Sequence, residues 1–311
     1  MKAQRTLTLV RSGIATSIQD AGRNGRQHNG VPPGGAMDEF ALRIGQHQLG
    51  HRADEAALEF VYGSLAFTTS APCRFIVTGA PAIITIDGTK SHSGQVQETE
   101  AHQMVNIEPS GKGVYSYLHV AGGIDTPPCL GSRSTSPRER LGGLNGQYLC
   151  DDDVLPLGPE QTPSEPSYPL ASNISAPETL LLRFIPGFQF DLFCVETRHH
   201  FESQLFSVTP RANRMGVALD GNPVETGLAS LLSEATCYGA IQIPPDGKPI
   251  ILLNDRQTVG GYPKAGAVIR GDCRRLVQSQ PGQRVQFVAI TPQEADRIAW
   301  LEHHYLETKL A

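Results

Sequence analysis

The apolar run Ile250-Ile-Leu-Leu253 delivers a row of polar side chains, Asn254-Asp255-Arg256-Gln257-Thr258, into Val259-Gly260-Gly261-Tyr262-Pro263-Lys264. A strand holds its side chains rigidly, and a Gly-Gly turn can expose backbone N–H groups to a developing negative charge on oxygen. Asp255 has the chemistry of a base or of an acceptor for a substrate N–H. Gln257 and Thr258 add neutral donors and acceptors, and Tyr262 adds a phenolic donor. Asp255, Gln257 and Tyr262 are therefore the candidate catalytic residues, with Asn254, Thr258, Gly260, Gly261 and Lys264 around the substrate. A polar hairpin in which Asn254 and Asp255 cap the backbone uses the same residue types, although a simple turn needs only one or two of them.

Two further segments carry charge into glycine-rich text. Asp20-Ala-Gly-Arg23 runs on through Arg26 and His28 to Gly34-Gly35. Arg23, Arg26 and His28 can pair with a carboxylate or phosphate, with Asp20 orienting one of them. A loop stitched by Asp20–Arg23 bonds accounts for the same residues equally well. Asn213-Arg214-Met215-Gly216 sets Arg214 between a strand and a glycine, where it serves either an anion or the ordinary surface.

Several chemistries find no support. The sequence has no Gly-x-x-x-x-Gly-Lys-Ser/Thr loop, no Gly-x-Gly-x-x-Gly, no Gly-x-Ser-x-Gly and no His-Glu-x-x-His. His47 and His51 have the helical spacing of a metal clamp, but Gly50 between them ends the helix, so no metal site is expected. A net charge of −5 argues against nucleic acid. The six cysteines stand at least twenty-one residues apart, which excludes a Cys-x-x-Cys element. No apolar stretch approaches the ~18 residues that would cross a membrane, and a cytoplasmic protein with reduced thiols is expected.

The elements that must position these residues are mostly strands. Leu7 to Gln19 reads as two strands around Ser12-Gly13, and Asp38 caps a helix with Phe40, Ala41 and Ile44 on its apolar side. Short alternating or β-branched runs follow at 57–61, 75–78, 83–86, 104–107 and 115–121, then at 180–185, 205–209, 239–243, 250–253 and 284–290. Thr291, Pro292 and Glu294 open a last helix with a capping box, and its stripe is Ala295, Ile298, Ala299 and Tyr305. The six prolines of Pro156 to Pro177 mark a linker, predicting domains over 1–165 and 166–311. Pro109-Ser-Gly-Lys112 with Gly122-Gly123 returns as Pro245-Asp-Gly-Lys248 with Gly260-Gly261, at offsets of 136 and 138 residues, which suggests two similar β domains.

Taken in order, the motifs resemble the family that contains the C subunit of 5-oxoprolinase, allophanate hydrolase subunit 2 and the urea carboxylase-type, biotin-dependent carboxyltransferase. They are Thr16-Ser-Ile-Gln-Asp-Ala-Gly-Arg23, Gly30-Val-Pro, Gly35-Ala-Met-Asp38, Ala57-Leu-Glu59, Val120-Ala-Gly-Gly-Ile-Asp125 and Gly131-Ser-Arg-Ser-Thr135. Further on come Pro186-Gly, Asn213-Arg-Met-Gly216 and Asn254-Asp-x-Gln-Thr-x-Gly-Gly-Tyr-Pro263. Arg256 departs from the pattern, since a small residue is common there.

The resemblance implies a mainly β fold with a few helices, built as two cyclophilin-like β-barrel domains in tandem. It also implies an ATP-dependent 5-oxoprolinase in which this chain, as the C subunit, works with the A and B subunits to turn 5-oxo-L-proline into L-glutamate. ATP would be held mainly by a partner subunit. Asp255, Gln257, Tyr262 and Arg214 fall at positions expected around the substrate, and Asp20, Arg23 and His28 in the N-terminal loop. The resemblance also admits carboxyl transfer to a urea or amide from biotin carried on another chain, since this one has no biotinylation Met-Lys-Met. A third reading is a non-enzymatic antagonist of a sensor-kinase inhibitor.

Overall fold

The computed structural model describes residues 4–52, 54–160, 177–228 and 231–310 and is mainly β, with four α-helices among them. The chain divides into two compact units, Met1–Asn24 with Pro33–Ile174, and Gly25–Pro32 with Ser175–Ala311. Most of the linker expected over Pro156–Pro177, and the boundary at 165/166, lie outside the described residues.

The first unit holds β1 (Thr6–Arg11), β2 (Ile14–Gln19), α1 (Glu39–Gln48), β3 (Ala57–Val61), β4 (Leu65–Thr69), β5 (Cys73–Gly79) and β6 (Ala82–Ile86). After them come β7 (Thr89–His92), β8 (Gln97–Thr99), β9 (Val105–Pro109), β10 (Tyr115–Val120) and β11 (Val154–Pro156). They form a six-stranded sheet, β11-β1-β4-β9-β6-β7, and a five-stranded sheet, β2-β3-β10-β5-β8. Gly13, at φ +75°, makes the turn that carries the chain from β1 in one sheet to β2 in the other. Alternation does the rest: Leu7, Leu9, Phe67, Ile84 and Ile107 from one sheet share a buried core with Ile18, Leu58, Phe60, Phe75, Val77 and Leu118 from the other. Phe67 and Phe75 meet edge to face across it at 5.4 Å.

The carboxylate of Asp38 caps α1 by accepting the Ala41 N–H at 3.1 Å, as the sequence suggests. The helix packs through a different face from the one expected. Ala41, Leu42, Gly45 and Gln46 are buried, whereas Phe40 and Ile44 are only half-buried. A glycine and a glutamine on the inner face hide it from an apolar pattern. Gly45 is there because the imidazole of His119 fills the space: a Cβ would lie 2.1 Å from its Cδ2.

His119 on β10 is wholly buried. Its Nε2 lies 3.2 Å from Thr78 Oγ1, whose hydroxyl donates to the Ala41 carbonyl at 2.8 Å. Nε2 therefore carries the proton, and Nδ1 has no hydrogen-bond partner. His51, with its side chain 1% exposed, stands 6.5 Å from the His119 ring and 3.5 Å from the Glu55 carboxylate. Burial pushes the His51 pKa down to about 4, with the charge of Arg74 acting in the same direction. Burial, and then the neighbouring His51, hold His119 well below its ordinary value.

The second unit holds β12 (Thr179–Pro186), α2 (Val195–Ser203), β13 (Phe206–Asn213), β14 (Gly216–Asp220), β15 (Glu234–Ala235) and β16 (Ala240–Gln242). It continues with β17 (Ile250–Leu252), β18 (Val259–Gly260), β19 (Lys264–Val268), α3 (Arg270–Val277), β20 (Arg284–Ala289) and α4 (Pro292–Leu310). Seven strands close a barrel in the order β12-β19-β16-β17-β14-β13-β20, and the parallel pair β12–β20 completes the ring. Its core includes Phe184, Phe190, Phe201, Phe206 and Phe287, with Phe201 of α2 stacked on Phe287 at 4.4 Å. Asp272 of α3, fully buried, accepts hydrogen bonds from Arg183 N, Nε and Nη2 and so ties α3 to β12.

The capping box of α4 is formed: Glu294 accepts from Thr291 N at 2.8 Å, and Glu294 N donates back to Thr291 Oγ1 at 3.2 Å. The expected stripe is half right. Ala295 is buried and Ile298 half-buried, but Ala299 and Tyr305 face outward, and the inner row continues through Glu302 and Leu306. Glu302 packs its carboxylate over Gly271, whose Cβ would lie 2.1 Å from it. A charged residue on the inner row masks the period.

The buried imidazoles make stability fall with acid. Above pH 6.5 neither the folded nor the unfolded His51 is protonated. Below it the unfolded chain gains a proton that the folded one refuses down to about pH 4. Stability is expected to drop by about 2 kcal/mol from His51 alone between pH 7 and 5. Glu55, held above the usual carboxylate range by burial, acts in the opposite direction. Denaturant unfolding at both pH values should show a smaller difference in His51→Gln than in the natural chain, and equal differences would refute the assignment.

Candidate functional site

Two loops at one end of the second unit's barrel run side by side. Leu253 N donates to the Met215 carbonyl, and Asp255 N to the Arg214 carbonyl, each at 2.9 Å. These backbone bonds continue the β14–β17 pairing and bring Arg214 and Asp255 together. Arg214 Nε meets Asp255 Oδ2 at 2.7 Å and Nη2 meets Oδ1 at 3.0 Å, a bidentate pair with side chains 8% and 11% exposed. Asn213 supports it by accepting the Met215 N–H at 2.8 Å. Arg214 and Asp255, read from the sequence as separate ligand groups, are thus each other's partner. Asn254 lies half-buried next to them in the chain.

A second polar group gathers around β15 and β18. Thr236 donates its N–H to the Thr258 carbonyl at 3.0 Å and its hydroxyl to the Gln257 carbonyl at 2.5 Å. The Gln257 amide donates to Gln242 Oε1 at 3.1 Å. Gln242 is 2% exposed, and its own Nε2 has no hydrogen-bond partner. Lys264 Nζ reaches Glu234 at 2.9 Å and the Gly260 and Tyr262 carbonyls at 3.2 and 3.4 Å. Gln189 braces this group by donating to Glu234 and accepting the Lys264 N–H, both at 2.7 Å. The Tyr262 side chain is largely outside, the residue being 44% exposed.

The expected Gly260-Gly261 turn is not a turn. Gly260 lies in β18, paired with Glu234, and neither glycine has a left-handed φ. They are glycines because of crowding: a Cβ would lie 2.4 Å from Gln242 Nε2 at Gly260 and 2.8 Å from the Leu231 carbonyl at Gly261. In the matching segment of the first unit, Gly122 and Gly123 do take left-handed φ values, +96° and +66°. The repeated dipeptide therefore has two different physical causes. Gln242 Nε2, which has no hydrogen-bond partner, lies beside Gly260.

The N-terminal loop is a scaffold. Asp20, 4% exposed, accepts from Gly22 N, Ser132 Oγ, Arg133 N and Ser134 Oγ. Arg23, 1% exposed, donates to the Ser134 carbonyl and lies against Gly142. Asp20 therefore orients the 132–134 segment, and both residues stitch their loop through that segment. His28 is exposed, on a short turn of the second unit.

Sequence reasoning missed Gln242, Glu234 and Gln189. Only Gln242 carried a signal, as a polar residue inside the apolar run Gly239-Ala-Ile-Gln-Ile243. Glu234 and Gln189 sit in text with no pattern and join the group only through folding. Among the described residues no set of three or more His, Cys, Asp or Glu is placed to hold a metal ion, and no helix is long and apolar enough to cross a membrane.

The barrel carries the paired Arg214 and Asp255 in an Asn-Arg-Met-Gly and Asn-Asp-x-Gln-Thr frame. The chain belongs to the carboxyltransferase domain, subdomain A and B, family, whose model matches residues 29–289. It is 33% identical over 302 residues to the C subunit of 5-oxoprolinase from Escherichia coli K12, covering 97% of this chain and 96% of that one. It is 30% identical over 302 residues to the urea amidolyase of Saccharomyces cerevisiae, covering 90% of this chain but 16% of that one. The solved structure of the Kluyveromyces lactis urea amidolyase shares the fold, with a TM-score of 0.89 at 23% identity over 99% of this chain and 20% of that one.

Removing one member of the Arg214–Asp255 pair breaks both of its charge-assisted bonds at a largely buried position. Asp255→Ala or Arg214→Ala is expected to cost about 3–5 kcal/mol in denaturant unfolding, and Arg214→Met/Asp255→Leu markedly less. Additive losses in the double variant would show that the two do not act as a pair. Gly260→Ala should push Gln242 aside and break its bond to Gln257, lowering the melting temperature by a few degrees, on the scale of about 1 kcal/mol.

Proposed function

We propose that this chain is the C subunit of an ATP-dependent 5-oxoprolinase, acting with the A and B subunits to hydrolyse 5-oxo-L-proline to L-glutamate. The observation that carries this is collinearity over nearly the whole length of both chains with a free-standing 5-oxoprolinase C subunit. The match to urea amidolyase, by contrast, occupies a small fraction of a much longer chain.

The polar groups suit a small anionic lactam. Asp255 accepts the lactam N–H while Arg214, still held by its neighbour, turns part of its charge to the substrate carboxylate. Gln242 Nε2 and Lys264 stand for the carbonyl oxygen, whose phosphorylation prepares the ring carbon for attack by water. Gln257 fixes Gln242. Asn254, Thr258 and Tyr262 line the approach, and Gly260 and Gly261 let the neighbouring atoms close in. ATP, the co-substrate, is assigned mainly to a partner subunit. Asp20, Arg23 and His28 keep only supporting roles.

The test is 5-oxoproline-dependent ADP formation by this chain with its two partner subunits. Turnover is expected to need all three, and Asp255→Asn to lower kcat on the order of 100-fold with assembly intact. An assembled complex without 5-oxoproline-dependent turnover would overturn the proposal. Carboxylation of urea or an amide from a carboxybiotin carrier would assign the chain to carboxyl transfer instead.

A further inference from the structure

The same loop that presents Asp255 turns its next side chain inward. Arg256 is 4% exposed, its Nη1 donates to the Leu253 carbonyl at 3.0 Å, and its Nε has no hydrogen-bond partner. Burying a guanidinium with an unmet N–H is costly, and more so without a counter-charge. Asp255, next to it in the chain, is paired with Arg214, and Asp272 at the start of α3 is paired with Arg183, with Arg275 at 3.4 Å.

What faces Arg256 is set by the barrel. β16 pairs antiparallel with both β17 and β19, so the residues that lead into it meet the loops that leave the other two. Gly239 N donates to Leu252 O, Val268 N to Gly239 O, and Thr236 N to Thr258 O. Cys237 and Tyr238 are thereby set between the 253–257 loop and the start of α3. The Arg270 guanidinium lies over the Tyr238 ring, 5.3 Å from its centroid. Arg270 and the Cys237 thiol are exposed, with Arg256 buried. Burial pushes the Arg256 guanidinium below its usual range, and the charge of Arg270 pushes the same way.

We propose that Arg256 and Arg270, with Tyr238 and the Cys237 thiol beside them, form a site for a small oxyanion, a phosphoryl or carboxylate group. An oxygen of that group takes the Arg256 Nε–H, for which the protein offers no hydrogen-bond partner, and its negative charge complements the guanidinium groups. The site is separate from the Arg214–Asp255 pair and stands whether or not the oxoprolinase reading holds. It is also peculiar to a chain with arginine at position 256.

Cys237 is a built-in reporter. The full chain is treated with iodoacetate, an anion, and with iodoacetamide, its neutral analogue, and the labelling rate at each cysteine is read by peptide mass spectrometry. The ratio of the two rates at Cys237 is expected to exceed, by about tenfold, that of exposed Cys194 and of a neutral cysteine peptide. Millimolar inorganic phosphate should slow iodoacetate labelling at Cys237, while sodium chloride of equal ionic strength should not. Protection by acetate as well as phosphate assigns a general oxyanion site, and by phosphate alone a phosphoryl site. Arg256→Gln and Arg270→Gln should each return the ratio to that of the peptide. A ratio at Cys237 equal to the references, equal protection by chloride, or a ratio untouched by Arg256→Gln would each overturn the proposal. Should Arg256→Gln fail to fold, the phosphate and chloride arms on the natural chain still decide it.

Discussion

Closure of the barrel is the constraint on which the geometry of the second unit's candidate site depends. Its first and last strands, β12 and β20, lie side by side in parallel over six residue pairs, from Thr179–Arg284 to Phe184–Ala289. That pairing brings together the ends of a stretch of more than a hundred residues and leaves the ring without a free edge. The entropy of closing so long a loop is met by burying the phenylalanine cluster, in which Phe184, Phe201, Phe206 and Phe287 touch one another. Because β14 and β17 are fixed within that ring, the loop that enters β14 and the loop that leaves β17 cannot drift apart. The Arg214–Asp255 geometry is thus inherited from a strand pairing made elsewhere in the barrel.

Two kinds of polar economy follow. At Asp255 the charge is matched within the chain, with both carboxylate oxygens on one guanidinium. At Gln242, and again at Arg256, a buried donor is left over. Such groups are costly to a core. The contrast with Asp20 is instructive. That carboxylate is just as buried, but serine hydroxyls and backbone N–H groups fill its acceptor positions, and its work is to hold a loop.

The strand content was legible because period-two alternation and turn residues act locally. The runs at 57–61, 75–78, 83–86, 180–185 and 284–290 all became strands within a residue or three of their expected limits. Caps were legible for the same reason, since Asp38 and the Thr291–Glu294 pair bond within their own helix termini. What stayed hidden depends on distant partners. The inner face of α1 contains Gly45 because of His119, and the inner row of α4 contains Glu302 because of Gly271. The candidate site divides in the same way. The motif residues around Asp255 announced themselves, whereas Glu234 and Gln189 gain their place only when β15 pairs with β18 and Gln189 comes to Lys264. The Gly-Gly pair was the instructive error, since glycine reports either left-handed backbone or missing room, and its letter is the same for both.

The fit of α1 over the buried imidazole has a consequence for how the family can vary. A hydrogen atom at position 45 and a ring at position 119 fill one volume between them, so position 45 cannot gain a side chain unless position 119 gives way. A homologue with alanine or larger in the helix must carry a smaller residue on β10, and a homologue with a smaller residue there gains room for a side chain in the helix. Two positions seventy-four residues apart should therefore change in step across the lineage, a paired signature readable from related genomes without any knowledge of what the protein does.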